Sequence, residues 1–93
     1  MRLFMAMEKC FPEMRKHRKM LYEQYPKEYW NDLHLHMMKR EMQEWIIDQY
    51  LDSDSMLYKL FVQAGFKSKR EMALNMLCWH TYDWNIERHY HTI

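Results

Sequence analysis

The sequence predicts an all-α protein, a compact bundle of four to five helices with a helix-turn-helix-like C-terminal half. Apolar residues recur every three or four positions along most of the chain, which is the spacing of one face of an α-helix. One glycine and two prolines among 93 residues leave few turns, which favours a few long helices over many strands. A hydrophobic share of 48% supports a packed core, and the length suggests a single domain spanning residues 1–93.

The first two helices are predicted over residues 2–11 and 12–24. Pro12 separates them, because the residue before a proline is pushed out of the α conformation and proline suits the first turn of a helix. In the second helix, basic residues surround a narrow apolar strip, and this strip consists of Met14, His17, Met20 and Leu21.

A third helix is predicted over residues 27–51, after the second proline at position 26. Its apolar residues keep to a 3.6-residue period, and its charged residues fall mostly off that stripe. The pattern indicates an amphipathic helix with one face in the core. The stripe contains Trp30, Leu33, Met37, Met38, Met42, Trp45, Ile46 and Tyr50.

The C-terminal half predicts a helix over residues 54–64, a turn at Gly65 and a second helix over residues 69–91. The serines and aspartates at positions 52–55 favour a helix start, because their side-chain oxygens accept hydrogen bonds from amides of the first turn. Gly65 is the only glycine in the chain and favours a helix end, since glycine enters the left-handed conformation without a steric penalty.

The turn after this glycine carries two further predictions. We expect Phe66 to fold back onto Phe61, as often happens after a glycine stop. Ser68 and Glu71 fit a capping box, in which the serine oxygen accepts from the glutamate amide and the glutamate carboxylate reaches back to the serine amide. The stretch therefore predicts a sharp turn and a capped restart of the helix.

The formal net charge is +1, but the charges are unevenly distributed. Residues 1–27 contain seven Lys or Arg against three Glu, whereas residues 28–54 contain two against seven Asp or Glu. Such a chain favours charge-complementary contacts with a partner or with a second copy. No apolar run approaches the ~20 residues of a membrane span, and residues 1–11 do not resemble a signal peptide. We expect a cytoplasmic protein without a membrane partner.

Several potential metal ligands occur in pairs that are separated by one residue. Residues two apart on a helix point about 200° away from each other, so such pairs chelate poorly. We therefore expect no metal site and no cofactor, and we expect free thiols from two cysteines that lie far apart in the sequence. The pairs are His34 with His36, Cys78 with His80, and His89 with His91.

Motifs of catalysis are absent from the sequence. It contains no glycine-rich phosphate loop, no G-x-S-x-G nucleophile turn and no HExxH pattern. Cys78 and His80 point away from each other on one helix and do not form a nucleophile and base. We therefore expect a protein that is not an enzyme.

The apolar residues point to protein binding instead. Eleven methionines, four tryptophans and seven tyrosines are many for 93 residues, methionine suits adaptable surfaces, and aromatic residues dominate interface hot spots. The alternative is that these residues simply fill a core. Because several aromatic residues fall off the main stripes, we expect exposed partner-binding side chains and either a partner protein or a homo-oligomer. The candidates are Tyr29, Trp30, Tyr58 and Tyr82.

Two basic clusters suggest nucleic-acid binding as an alternative. Lysine and arginine neutralise phosphates, and nearby tyrosines stack on bases. The alternative is that both clusters are ordinary solvated helix faces without a binding role. A pI of about 7.8 favours nucleic-acid binding only weakly. The first cluster is Arg15, Lys16, Arg18 and Lys19, and the second is Lys67, Lys69 and Arg70.

The stretch from Ala64 to Glu71 resembles the junction between the two helices of ribbon-helix-helix regulators and VapB-type antitoxins, and it is similar to the turn of a helix-turn-helix. The resemblance implies that Lys67, Lys69 and Arg70 approach DNA at a helix N-terminus. A ribbon-helix-helix protein also needs a short strand before its first helix. Residues 42–48 occupy that place, and their apolar spacing is more helical than alternating.

The sequence thus leads to two expected functions. The first is a non-catalytic protein-binding module that acts as an inhibitor, adaptor or regulator, since the composition also resembles small accessory proteins of phages that block host proteins. The second is a small DNA-binding transcriptional regulator that uses the turn around residues 60–75.

Overall fold

Five α-helices and no strands form the part of the chain that the structure describes, so the all-α prediction is confirmed. The structure is a computed structural model that describes residues 2–24 and 32–91, and the side chains of Tyr22, 32–38 and 81–91 lie outside this description. The predicted helical residues 27–31 also lie outside it. The helices are α1 (Leu3–Glu8), α2 (Phe11–Gln24), α3 (Asp32–Tyr50), α4 (Met56–Gln63) and α5 (Lys69–His91).

The break between α1 and α2 comes earlier than predicted. A continuous helix would bring the ring of Pro12 against the carbonyl of Glu8, four residues before it, and α1 ends at Glu8. The amide of Cys10 bonds the carbonyl of Met7 at 2.9 Å in the connecting turn. The second helix then begins at Phe11, and Pro12 lies in its first turn, where its missing N–H leaves no bond unmade.

Residues 42–48 are helical, within α3. Met42 and Ile46 are buried, four positions apart on the same face of the helix. The strand that a ribbon-helix-helix protein requires is therefore absent from this position, and that part of the resemblance is wrong. The physical reason is the apolar spacing of three and four residues, which buries one face of a helix and does not alternate.

The junction between α4 and α5 has the predicted glycine stop. Gly65 adopts a φ of 97°, its amide bonds the carbonyl of Val62 at 3.0 Å, and the amide of Phe66 bonds the carbonyl of Phe61 at 3.1 Å. This pair of bonds is a Schellman motif. The rings of Phe61 and Phe66 pack edge to face at 4.9 Å, which confirms the predicted fold-back.

Serine side chains begin both helices of the C-terminal half. Ser55 Oγ accepts from the amide of Tyr58 at 3.2 Å, and Ser68 Oγ accepts from the amide of Glu71 at 3.1 Å. The return bond of the capping box differs from the prediction, because the Glu71 carboxylate accepts from the amide of Lys67 at 3.3 Å. The Glu71 carboxylate therefore stabilises the turn at Lys67, one residue before Ser68.

The core lies between α2, α3 and α5, and α1 covers α4. Phe61, Ile46 and Leu51 are fully buried. Many of the methionines fill this core, which is the alternative to a methionine-rich surface that the sequence left open. The buried methionines are Met7, Met14, Met42, Met72 and Met76. Within the described residues, no helix is both long enough and apolar enough to cross a membrane.

Candidate functional site

Three large apolar side chains are exposed where α1 meets α5. Phe4, Met5 and Trp79 are 42%, 54% and 42% exposed, respectively. The rings of Phe4 and Trp79 meet edge to face, with centroids 5.3 Å apart and planes at 82°. We call these three residues the aromatic patch. Exposed apolar residues that cluster in this way, unlike scattered ones, are typical of binding surfaces.

The patch arises from how two helices distribute their apolar residues. On the six-residue helix α1, Leu3, Ala6 and Met7 face the core, so Phe4 and Met5 fall on the other side of the helix. On α5, Trp79 lies between the buried Met76 and His80 in the sequence, and its own side chain remains 42% exposed. The edge-to-face contact holds both rings in place while leaving part of each in water.

A depression of about 350 Å³ adjoins the aromatic patch and shares Met5 with it. We call it the basic depression, because its lining carries two cationic side chains against one carboxylate. Apolar and charged side chains therefore line the same depression. The lining residues are Met5, Glu8, Lys9, Phe11, Pro12 and Arg15.

A buried histidine lies beside this site. His80 follows Trp79 and is 0% exposed, and its ring packs at 6.0 Å from the ring of Phe11. Neither of its ring nitrogens has a hydrogen-bond partner in the described structure. Burial, together with the positive charges of Arg18 and Arg15, lowers the pKa of His80 to about 4. The imidazole is therefore neutral near pH 7.

The partner-binding residues predicted from sequence are not those of the patch. Tyr58 is half-buried against the core, and Lys69 Nζ lies 5.6 Å from the centre of its ring. Tyr29, Trp30 and the side chain of Tyr82 lie outside the described residues.

Sequence reasoning missed Phe4, Met5 and Trp79. Trp79 follows the buried Met76 by three positions on α5, and this helical spacing alone favours a buried side chain. Whether the Trp79 side chain is exposed depends on how the other helices pack against α5. The one available signal was the size of tryptophan, which is rarely fully buried.

The first basic cluster, on α2, is divided between two environments. Arg15 and Arg18 are half-buried and act electrostatically on His80. Lys16 and Lys19 are exposed. Between them, His17 stacks on Trp45 of α3, with centroids 4.2 Å apart. The cluster therefore does not present four equivalent cations to a phosphate backbone.

The basic residues at the start of α5 are also divided. Lys67 and Arg70 are exposed, whereas Lys69 is half-buried beside Tyr58. Arg70 Nη1 donates to Gln43 Oε1 at 2.9 Å, which links the first turn of α5 to α3. Lys67 and Arg70 are therefore exposed near the turn for which the sequence suggested DNA binding as an alternative.

Both cysteines are free thiols. Cys78 is exposed, and Cys10 is half-buried with its Sγ donating to the carbonyl of Ala6 at 3.6 Å. Burial, and next the negative charge of Glu13, raise the pKa of Cys10 to about 11. No group of three metal-binding side chains occurs among the described residues. The side chains of His34, His36, His89 and His91 lie outside the description.

No family model, no characterised protein and no solved structure matches this chain.

Proposed function

We propose that this protein is a non-catalytic protein-binding module that acts as an inhibitor, adaptor or regulator, and that the aromatic patch is its contact with the partner. The observation that carries the proposal is the exposed edge-to-face pair of Phe4 and Trp79, with Met5 beside it. Aromatic residues and methionine are enriched in the cores of protein interfaces.

The energetics of the patch support this assignment. Covering the exposed parts of three large side chains removes roughly 300 Å² of apolar surface from water, which at about 25 cal/mol per Å² contributes several kcal/mol. The contact between Phe4 and Trp79 already fixes both rings. Less conformational entropy is then lost when a partner binds, and more of the hydrophobic gain remains as affinity.

The proposal is tested by isolating the partner on immobilised wild-type protein and measuring its affinity by calorimetry. The double substitution Phe4→Ala with Trp79→Ala is expected to weaken Kd by at least tenfold, because truncating interface aromatics costs about 1–4 kcal/mol. The control is Met20→Ala on α2, whose side chain is 53% exposed and does not belong to the aromatic patch. An equal loss of affinity in the double variant and in Met20→Ala, or no loss of affinity in the double variant, would refute the proposal.

A second candidate is a DNA-binding regulator of the helix-turn-helix type. The observation that favours it is the exposure of Lys67 and Arg70 beside the first turn of α5, after a sharp glycine turn. Phosphate contacts release counterions and therefore weaken steeply with salt. Fluorescence anisotropy against mixed duplex DNA at two salt concentrations tests this directly.

If this second function holds, micromolar or tighter binding is expected at low salt, and Lys67→Glu with Arg70→Glu abolishes it. The control is Lys39→Glu with Arg40→Glu, which changes the same number of exposed charges on α3. Binding that is absent even at low salt would rule this candidate out.

A further inference from the structure

The contact between α2 and α5 contains a buried histidine, His80. A buried polar group without a hydrogen-bond partner costs stability, and His80 has two such ring nitrogens at 0% exposure. Phe11 of α2 packs against the ring at 6.0 Å. The imidazole is therefore held in an apolar place that offers it no acceptor among the described residues.

Among the described residues, the charged groups that act on this ring are positive. The groups that act on it are Arg18 and Arg15, both on α2. The nearest carboxylate in the sequence of α2, Glu13, is exposed and accepts from the Tyr50 hydroxyl at 2.6 Å. Glu8 at the end of α1 and Lys9 directly after it are exposed. In the described structure, no carboxylate compensates a positive charge on His80.

We propose that the α2–α5 contact is an acid-sensitive joint, in which binding of a solvent proton to a ring nitrogen of His80 forces the two helices apart. The protonated imidazole carries a full positive charge next to two guanidinium groups. It needs water or a carboxylate. While the joint is closed, the ring is 0% exposed to solvent, and the described residues around it supply no carboxylate. Opening of the joint exposes the ring to solvent and also displaces Trp79, its neighbour in the chain.

The direction of the pH dependence follows from the two states of the ring. Burial and the two arginines lower the pKa of His80 to about 4 in the folded protein, below its ordinary value of 6.5. The open or unfolded state therefore binds more protons between these values, and the closed state loses stability as the pH falls. Above pH 6.5 the His80 ring is neutral in both states, so its protonation costs no stability. The equilibrium constant for opening rises about tenfold per pH unit below pH 6.5, up to roughly 300-fold.

The test is urea-induced unfolding of the wild-type protein and of His80→Met between pH 7 and pH 4.5. The wild-type unfolding constant is expected to rise at least tenfold more than that of His80→Met over this range. At pH 7 the variant is expected to be at least as stable as the wild type, since an apolar side chain removes the unpaired nitrogens. His17→Gln is the control, because the pKa of His17 is also lowered, chiefly by burial. It should retain most of the wild-type pH dependence.

Two outcomes would overturn the proposal. The first is an equal pH dependence in the wild type and His80→Met. The second is available even if the variant fails to fold: NMR titration of the wild-type histidine rings. A folded protein whose His80 resonance titrates near pH 6.5 has no acid-sensitive joint, whereas a resonance that stays neutral down to pH 5 while the protein is folded supports it.

Discussion

At the scale of single residues, burial sets the chemistry more than residue type does. Cys10 and Cys78 are both free thiols, yet one is half-buried and the other exposed. Burial and the nearby carboxylate of Glu13 raise the pKa of Cys10 to about 11, so very little thiolate forms at pH 8. Because the thiolate is the nucleophile, the two cysteines should differ strongly in reactivity.

We predict that iodoacetamide at pH 8 alkylates Cys78 at least tenfold faster than Cys10. Peptide mass spectrometry of samples quenched over time measures both rates in one protein. The control is the same reaction in denaturant, where both thiols should react alike. Similar rates in the folded protein would show that Cys10 is not protected as the structure indicates.

At the scale of the element, the junction from Ser55 to Glu71 was the most predictable part of the fold. Its stop at Gly65, the contact of Phe66 with Phe61 and the serine caps all follow from residues a few positions apart. Local backbone geometry decides such features. The detail that differed, the Glu71 bond to the Lys67 amide, is a choice between two adjacent amides that the sequence does not distinguish.

We predict that Gly65→Ala lowers the free energy of unfolding by about 1 kcal/mol, because a Cβ is unfavourable in the left-handed conformation. An added Cβ would meet no atom within 4 Å, so the loss is conformational and not steric. Gly65→Asn is the control, since asparagine tolerates this conformation, and it should lose less. Chemical denaturation measures both. An alanine variant as stable as the wild type would contradict the left-handed assignment.

At the scale of the whole molecule, the candidate site was not predictable. The helical spacing of Met72, Met76 and Trp79 favours one buried stripe, yet Met72 and Met76 lie in the core while Trp79 is 42% exposed. Phe4 and Trp79 lie far apart in the sequence, and their rings come together only when α1 and α5 are packed in the folded chain. The aromatic patch is therefore a property of α1 and α5 together, and neither helix alone contains its signal.

Packing at this scale also bears on Tyr58, the predicted binding residue whose side chain the structure describes. Tyr58 fell off the main stripe of its own helix, and the neighbouring elements nevertheless half-bury it against the core. In a small protein, a residue off one stripe often meets a second neighbour. Exposure of an aromatic side chain is therefore decided by packing among helices, and helical position alone is a poor guide to it.

The most direct test of the proposed binding surface is site-specific photo-cross-linking. A benzoyl-phenylalanine replaces Phe4 in one protein and Met20 in a second, and each is irradiated with the isolated partner. The proposal predicts a covalent adduct from position 4 and little or none from position 20, whose exposed fraction of 53% is comparable. An adduct from position 20 alone, or none from position 4 while the partner is bound, would contradict it.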